Sequence, residues 1–422
     1  MNTYDVAVVG QGAIGSATAL AFARAGRHVA LVAPGAATAL PASIAAKASR
    51  SGPQAWDQRV YALSPASRTL LTELGVWHFL DPARVAPVHD MRIFQGTTHS
   101  ARRAPPEVHL GAYEGRVEAL AWIVENRELQ TALDRAIAAT LVPGRLVRVD
   151  AVVDGLTLPL VAQEPGSASL ALSGGGRLSA QLVIAADGTG SRLRDLAGIE
   201  HVVRDYDQTA IVANFEAGRP HRDCAWQWFG DFGVVALLPL PSDDLGYRRS
   251  RVSLVWSAPA EEAARALGDG GESLGARVQA MTAGRLGTLE LITPPAAFAL
   301  RAVRCRQVIK PSFILIGDAA HAVHPMAGQG MNLGFGDLRA LMDHVLKRPQ
   351  AGALPVSPDW FDLRRYERSR REPVAAMQLA LDGLHRAFGN LPAPLAGLRD
   401  AGWSLVAKSA WLRRRMIAHA VS

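Results

Sequence analysis

Residues 313–337 read FILIGDAAHAVHPMAGQGMNLGFGD, and the order of residue types in this stretch organises the rest of the chain. Phe313 to Ile316 is a short apolar run of the kind that forms a buried strand. Gly317 and Asp318 stand where that strand ends, the edge at which open α/β sheets place their ligands. His321, His324 and Pro325 follow, and Gly328, Gln329 and Gly330 leave the backbone bare before a helical pattern resumes at Met331 and Asn332. A Gly-rich turn into a helix start presents unpaired N–H groups and the positive end of a helix dipole, suited to a developing negative charge. Asp318 adds a fixed acceptor for hydroxyl groups.

Two further strand ends carry the same combination. Tyr4 to Val9 is a short apolar strand followed by Gly10, Gly12 and Gly15 as G-x-G-x-x-G, with Ala13 and Ile14 inside the motif. Ala-rich helical spacing runs from Ile14 to Ala25, and Val29 to Val32 is a second strand. This is a βαβ dinucleotide fingerprint in its proper context, with a tight turn, a close approach to pyrophosphate and a helix N-terminus aimed at it. By itself it does not distinguish FAD from NAD. The acid that normally receives the adenosine ribose belongs near position 33, which is Ala33, and no Asp or Glu occurs between Asp5 and Asp57. A charge-assisted bond of roughly 1.5–3 kcal/mol is therefore missing, and backbone or Arg contacts are expected to hold the adenosine end. Farther on, the apolar run Ser179 to Ala185 ends in ADGTGSRLRDLAGI, where Asp187 and Gly188 precede Ser191, Arg192 and Arg194 at a helix start. A polyol acceptor beside donors for an anionic ring is what a flavin needs.

The remaining chain fills in around these tips. Pro34 to Ala55 is a long Ala/Ser/Gly-rich connection. Ser64-Pro65 opens a helix that Gly75 stops, with Arg59 just ahead of it, where a guanidinium reaches a phosphate or ring carbonyl. Ala119 to Ala138 reads as one amphipathic helix carrying Gln130, and Val147 to Leu160 as strand. From Thr209 to Val255 alternating apolar residues and aromatics predict an antiparallel sheet, the natural wall of an apolar pocket. Helix over Glu261 to Leu286 and the run Ala297 to Arg304 lead back to the opening strand. After Asp337 come helices, a Pro-rich turn from Pro349 to Pro358, a long helix from Phe361 to Phe388, and a tail from Trp403 to Ala420. The tail pairs an apolar stripe with Lys408 and Arg413 to Arg415, a pattern shared by membrane-surface helices and by terminal helices that cover a core. The expected architecture is α/β: a discontinuous Rossmann-like FAD-binding domain (1–85, 113–200 and 295–348), an inserted antiparallel β-sheet substrate domain (86–112 and 201–294), and C-terminal helices (349–422).

Bulk properties narrow the function classes. With 422 residues, 49% hydrophobic and 20% charged, the chain is an ordinary globular one with a sizeable core. The net charge of +7 is spread along the chain without aromatic interleaving, which argues against a nucleic-acid partner and leaves two readings, a surface facing anionic lipid and a basic protein with no polyanionic partner. Cys224 and Cys305 make no disulfide framework or metal-type spacing, so no metal is expected. No positive n-region precedes the glycine motif, and no apolar run approaches the ~20 residues of a spanning helix. The expected location is cytoplasmic, with peripheral contact on the inner face of the membrane.

GQGAIG (10–15), ADGTGSRLR (186–194) and GDAAHAVHPMAGQGMNLGFGD (317–337) together resemble class A flavoprotein aromatic hydroxylases, the para-hydroxybenzoate hydroxylase group. Within it, DQRVYALSPASRTLLTELGVW (57–77), WIVENRELQTAL (122–133), FGDFGVVALLPLP (229–241) and SLVWSAP (253–259) resemble the ubiquinone-biosynthesis hydroxylases, and the likeness spans nearly the whole chain. The resemblance implies that Gly10, Gly12, Ala13, Ile14 and Gly15 hold the FAD pyrophosphate, and that Arg59 and Gln130 contact its phosphate and ribityl region. Gly317 and Asp318 would bind the ribityl chain, and Pro325, Gly328, Gly330, Met331 and Asn332 would border the isoalloxazine. Asp187 and Arg194 match the motif that serves FAD and the pyridine nucleotide. The implied activity is hydroxylation of a polyprenylated phenol or quinol in ubiquinone biosynthesis by way of a flavin hydroperoxide, with NAD(P)H or another donor supplying electrons. Membership of a ubiquinone-biosynthesis complex is a further implication. His324, beside Pro325, is the candidate base by position. Two alternatives stay open: a related monooxygenase on another apolar aromatic, and a non-catalytic flavoprotein-like subunit.

Overall fold

The computed structural model describes residues 2–35, 56–95, 107–140, 143–160, 166–241, 250–268, 271–324, 328–346, 359–388 and 402–421. The three glycine-tipped apolar runs lie side by side in its first sheet. Strand order there is Ile309–Lys310, Phe313–Leu315, Arg177–Ala185, Asn2–Val9, Val29–Ala33 and Leu146–Asp150. All but the first run parallel. Parallel strands are covered on both faces, so they read as continuous apolar runs. Ala7, Val9, Ala30, Val183 and Phe313 pack on one side, and Val6, Val8, Leu31, Ile184 and Ile314 on the other. The second side is roofed by the first helix (Ala13–Arg24), the motif helix (Gln329–His344) and the long helix Trp360–Phe388. Register decides where the tips fall. Val9 pairs with Ala185 and Ala185 with Leu315, so the turns at Gly10, Asp187 and Asp318 leave the sheet level with one another.

The second sheet runs Leu289–Leu291, His201–Ala217, Ser250–Pro259, Gly233–Leu240, Cys224–Gly230, Asp90–Gln95 and Glu107–Gly111, with Ala296–Cys305 also on His201–Ala217. It is not purely antiparallel, as the alternation suggested. Asp90–Gln95 arrives from a separate earlier segment and pairs parallel with Cys224–Gly230. Ala296–Cys305, expected inside the 295–348 segment of the nucleotide domain, pairs with this sheet instead. Alternate residues face opposite ways. Ile211, Phe215, Leu254 and Trp256 pack under the helices Ala260–Gly268 and Gly271–Met281. Val212, Val234, Ala236 and Val255 face the nucleotide side.

A third, three-stranded sheet corrects the single helix expected over 119–138. Ala121–Glu125 is a strand between Val60–Leu63 and Val85–Val88, and the helix begins only at Asn126. Trp122, Ile123 and Val124 favour a pleated, buried setting, which a short apolar run does not distinguish from helix by period. Val147 to Leu160 likewise divides into Leu146–Asp150 and Val153–Thr157. The tail is two helices, 402–408 and Ala410–Val421, parted at Ser409. Pro325, the segment 36–55 and the Pro-rich turn 349–358 lie outside the described residues.

Candidate active site

The level strand tips build a backbone cradle that only glycine permits. Gly10 has φ +111°, and a Cβ there would sit 2.2 Å from the Ala186 carbonyl oxygen; one on Gly15 would sit 1.9 Å from that of Gly10. Gly12 differs: among the described residues it caps the first helix without any side-chain hydrogen bond, and a Cβ on it meets nothing within 4 Å. The motif helix starts the same way at Gly328, left-handed at φ +63° and again uncapped by a side chain. Its Gly334 lets the two helices close together, since a Cβ there would lie 2.8 Å from Ile14 Cγ1 and 3.5 Å from Gly317 Cα. Two bare helix N-termini therefore open into one cavity of about 1420 Å³, with Gly12, Arg59, Asp318 and Gly330 in its wall. The cavity continues onto the apolar face of the second sheet.

Asp318 accepts no hydrogen bond among the described residues. Burial raises its pKa, with the charges of His321 and Arg59 opposing that rise. Arg59 lies 5.5 Å from the centre of the Tyr61 ring. It is positioned by Asp57, a residue with no role in the sequence argument. Asp57 accepts the Arg59 N–H on one carboxylate oxygen (3.0 Å) and the Arg127 N–H on the other (2.9 Å). The Asp57 carbonyl accepts Asn214 Nδ2 (2.8 Å), and its N–H donates to Glu125. Glu125 is held at 2.7 Å by Arg84, and burial raises its pKa. Asp57 thus knots the small sheet to the second sheet beneath Arg59. The two-residue spacing to Arg59, that of an Asx turn, was the available signal.

A buried ionic network underlies the Asp318 turn. Asp337, fully buried, accepts the Gly317 N–H (2.8 Å) and Arg370 Nε (2.7 Å), and His321 Nε2 lies 2.7 Å from it. Burial pushes the Asp337 carboxyl up, but His321, Arg370 and the Gly317 amide prevail and its pKa is lowered. For His321 burial acts downward, the charge and hydrogen bond of Asp337 outweigh it, and the pKa is raised.

The cavity collects Gly12, Ala13, Ile14, Gly15, Arg59, Arg194, Gly317, Asp318, Gly328, Gly330, Met331 and Asn332. Several of these act differently from expectation. Asn332 spends its side chain on the protein: Oδ1 accepts the Ser64 N–H (3.0 Å) and Ser67 Oγ (2.8 Å), and Nδ2 donates to the Ala62 carbonyl (2.9 Å). Arg194 is buried and donates to the carbonyls of Thr189 and Ala319, lacing the second tip to the third. Asp187 is not in the cavity wall: its Oδ2 accepts the Leu193 N–H, while its buried Oδ1 has no partner among the described residues. Gln130 is not in the cavity wall; it donates to Ser16 Oγ (3.2 Å), behind the first helix. His324 is not in the wall either. Its Nε2 lies 2.7 Å from Gln208 Oε1 and its ring meets Tyr206 edge-on at 4.8 Å, so the structure does not bring it to the reacting space. On the strand adjoining Ala33, Asp150 pairs with Ala33 and accepts the Gly35 N–H.

On the sheet face, Gln227 and Ser257 interrupt a lining of Ile93, Val108, Val234 and Val255. Residues 163–353 match the family described as FAD binding domain. Along nearly the whole chain, the sequence is 31% identical over 422 residues to ubiquinone hydroxylase UbiL of Rhodospirillum rubrum, covering 99% of this chain and 89% of that protein. It is 32% identical over 424 residues to the 3-demethoxyubiquinol 3-hydroxylase of Escherichia coli, covering 99% and 98%. The chain belongs to the ubiquinone-biosynthesis hydroxylases. Human mitochondrial monooxygenase COQ6 is also similar, at 29% over 97% of this chain and 90% of its own length. The fold is that of p-nitrophenol 4-monooxygenase PnpA from Pseudomonas putida (TM-score 0.71, 16% identity, 100% and 98% covered) and of Pseudomonas aeruginosa PqsL (0.72, 20%, 96% and 100%). The enzyme is an FAD-dependent aromatic monooxygenase. Its residues fit that cofactor: uncapped helix starts at Gly12 and Gly328 for anionic groups, and a buried acceptor at Asp318, in the cavity wall, for hydroxyls.

Proposed function

We propose that this hydroxylase acts on the aromatic ring of a polyprenylated phenol or quinol intermediate of ubiquinone synthesis, with NAD(P)H as electron donor. One observation carries the reading: a single cavity joins the glycine cradle and Asp318 to an apolar sheet face, room for a cofactor and a greasy aromatic together. Bound FAD supplies O2 activation and delivery of one oxygen atom. The chain does the rest. The N–H groups after Gly12 neutralise the pyrophosphate, Arg59 and Asp318 grip the phosphate and ribityl end, and the N–H groups after Gly328 stabilise negative charge on the ring's pyrimidine edge. Asp187 and Arg194 shape the second tip against the cofactor, and Gln130 acts at one remove by propping Ser16 of the first helix. Gln227 and Ser257 orient the phenolic oxygen, and the surrounding Val and Ile side chains exclude water.

Substrate-stimulated NAD(P)H oxidation by FAD-reconstituted protein, with a short-chain prenylphenol, tests this directly. Asp318→Ala is expected to abolish both FAD retention and turnover; an Asp318→Ala variant with full activity sinks the assignment. In a deletion strain, a lipid extract lacking an accumulated under-hydroxylated ubiquinone precursor excludes the pathway reading. Peripheral membrane contact belongs to the same proposal. The tail helices expose Leu405 (61%) and Trp411 (64%) beside Lys408, Arg414 and Arg415, while no helix among the described residues is long and apolar enough to cross a bilayer. Vesicles rich in anionic lipid are expected to retain the protein, and deleting 402–421 to release it. Assembly with other ubiquinone-biosynthesis proteins predicts elution of the 44.9 kDa chain from native extract at a much larger mass.

A further inference from the structure

The two tail helices, which belong neither to the sheets nor to the nucleotide domain, contribute to the cavity wall. Trp403, Val406, Met416 and Ile417 stand in its wall. Ile417 is 2% exposed and packs with Ile93, Val108 and Phe229 of the sheet, and Trp403 meets the Phe229 ring edge-on at 6.3 Å. The fit is tight at this wall: a Cβ on Gly115 would lie 2.5 Å from Ile417 Cγ2. A half-desolvated ion pair secures the helices. Arg413 Nε and Nη2 each donate to a different oxygen of Glu114 at 3.2 Å, with both side chains 20% exposed, and Arg413 Nη1 donates to the Ala407 carbonyl across the break at Ser409 (2.6 Å). One arginine therefore holds both helices in register and pins them to the turn Ala112–Gly115 at the sheet edge. At about 1420 Å³ the cavity also exceeds the roughly 300–1,000 Å³ of a usual small-ligand site.

We propose that the tail helices, latched by Arg413 on Glu114, form the end wall of an isoprenoid-chain site, and that Ile417 sets the chain length it accepts. The inference deepens the polyprenyl-substrate reading and rests on it. Its chemistry is purely apolar: each further methylene buried at the wall adds affinity until Ile417 is reached, after which longer chains are displaced.

The test uses FAD-loaded, full-length protein and two chain-only probes, farnesol and geranylgeraniol, with dissociation constants read from quenching of tryptophan fluorescence. Ile417→Trp is expected to weaken geranylgeraniol about tenfold while leaving farnesol within about twofold, and Ile417→Ala to shift the ratio the opposite way. Opposite shifts from one position do not arise from misfolding. Arg413→Glu is expected to weaken both probes, and the swap Glu114→Arg with Arg413→Glu to restore them. Equal probe ratios in wild type, Ile417→Trp and Ile417→Ala overturn the end wall. Prenylphenols assayed in parallel separate the two ideas. Length selection that follows residue 417 without any prenylphenol-stimulated NAD(P)H oxidation sinks the substrate reading and leaves the wall standing. Oxidation with a ratio indifferent to residue 417 does the reverse.

Discussion

Replacing Asp337 by Asn removes one charge from a site that water does not reach. The Asp337 side chain is 0% exposed, His321 6% and Arg370 13%, so neither cation can turn to solvent when its counter-charge goes. Three donors converge on the carboxylate, and an amide facing them presents its own NH2 to at least one. Breaking a buried pair from one side costs about 3–5 kcal/mol. With an unfolding entropy of about 2.1 cal/mol/K per residue, 422 residues give roughly 0.9 kcal/mol/K, and the melting temperature should fall about 3–6 °C. Differential scanning fluorimetry of apoprotein reads this without involving the cofactor. Removing the stranded cation as well, in Asp337→Asn with Arg370→Met, should recover at least about half of the loss. FAD should bind about tenfold more weakly in the single variant, because the Gly317 amide loses its charged acceptor and with it the charge-assisted bond that fixes the Asp318 turn. A single variant melting within about 1 °C of wild type, or a double variant worse than the single, refutes the reasoning.

The two fingerprint glycines should separate folding from binding. Gly10→Ala places a Cβ 2.2 Å from the Ala186 oxygen at φ +111° and should fold poorly; Gly12→Ala meets nothing within 4 Å and should melt like wild type yet lose FAD on dialysis. The network also sets a pH dependence. Since the His321 pKa is raised, its stabilisation is complete below the unfolded value of 6.5 and fades as pH climbs through the folded value. The lowered Asp337 pKa gives stability that is present above 3.8 and lost as pH falls through the folded value. The melting-temperature gap between wild type and His321→Gln should therefore narrow as pH is raised above 6.5; a constant gap contradicts it. Burial pushes the Cys224 thiol up to about 12 and the Cys305 thiol up to about 11, so a thiol reagent at neutral pH should label both only after denaturation.

What could be read from the chain were features whose physics is local. Gly10 announces a turn by its conformational freedom and Gly15 a close backbone approach by its missing Cβ, and the apolar runs before Gly10, Asp187 and Asp318 state a two-faced buried sheet without reference to any partner. Features defined by distant partners were illegible. Asp57 matters because Glu125 and Asn214 meet it, and Asn332 because Ser64 and Ser67 lie opposite. His324 looked placed for chemistry in the motif, yet Gln208, more than a hundred positions earlier, claims its ring. Ala121–Glu125 was misread because five residues are too few for period to choose between helix and strand. Ile417 gave no sign at all, being an apolar residue on an amphipathic tail until its neighbours from four strands of the second sheet are known.

The parallel register has a bearing on biogenesis. Asn2–Val9 is flanked by Val29–Ala33 on one side and Arg177–Ala185 on the other, and Phe313–Leu315 joins last, beyond Arg177–Ala185. No nascent chain shorter than the stretch through Asp337 can own a complete flavin seat, however well its first βαβ unit has formed. Non-local strand pairing of this kind is slow and leaves an apolar edge bare while the ribosome works through the intervening sheet. Cofactor capture only after the residues through Asp337 have been made is the order of events this topology favours.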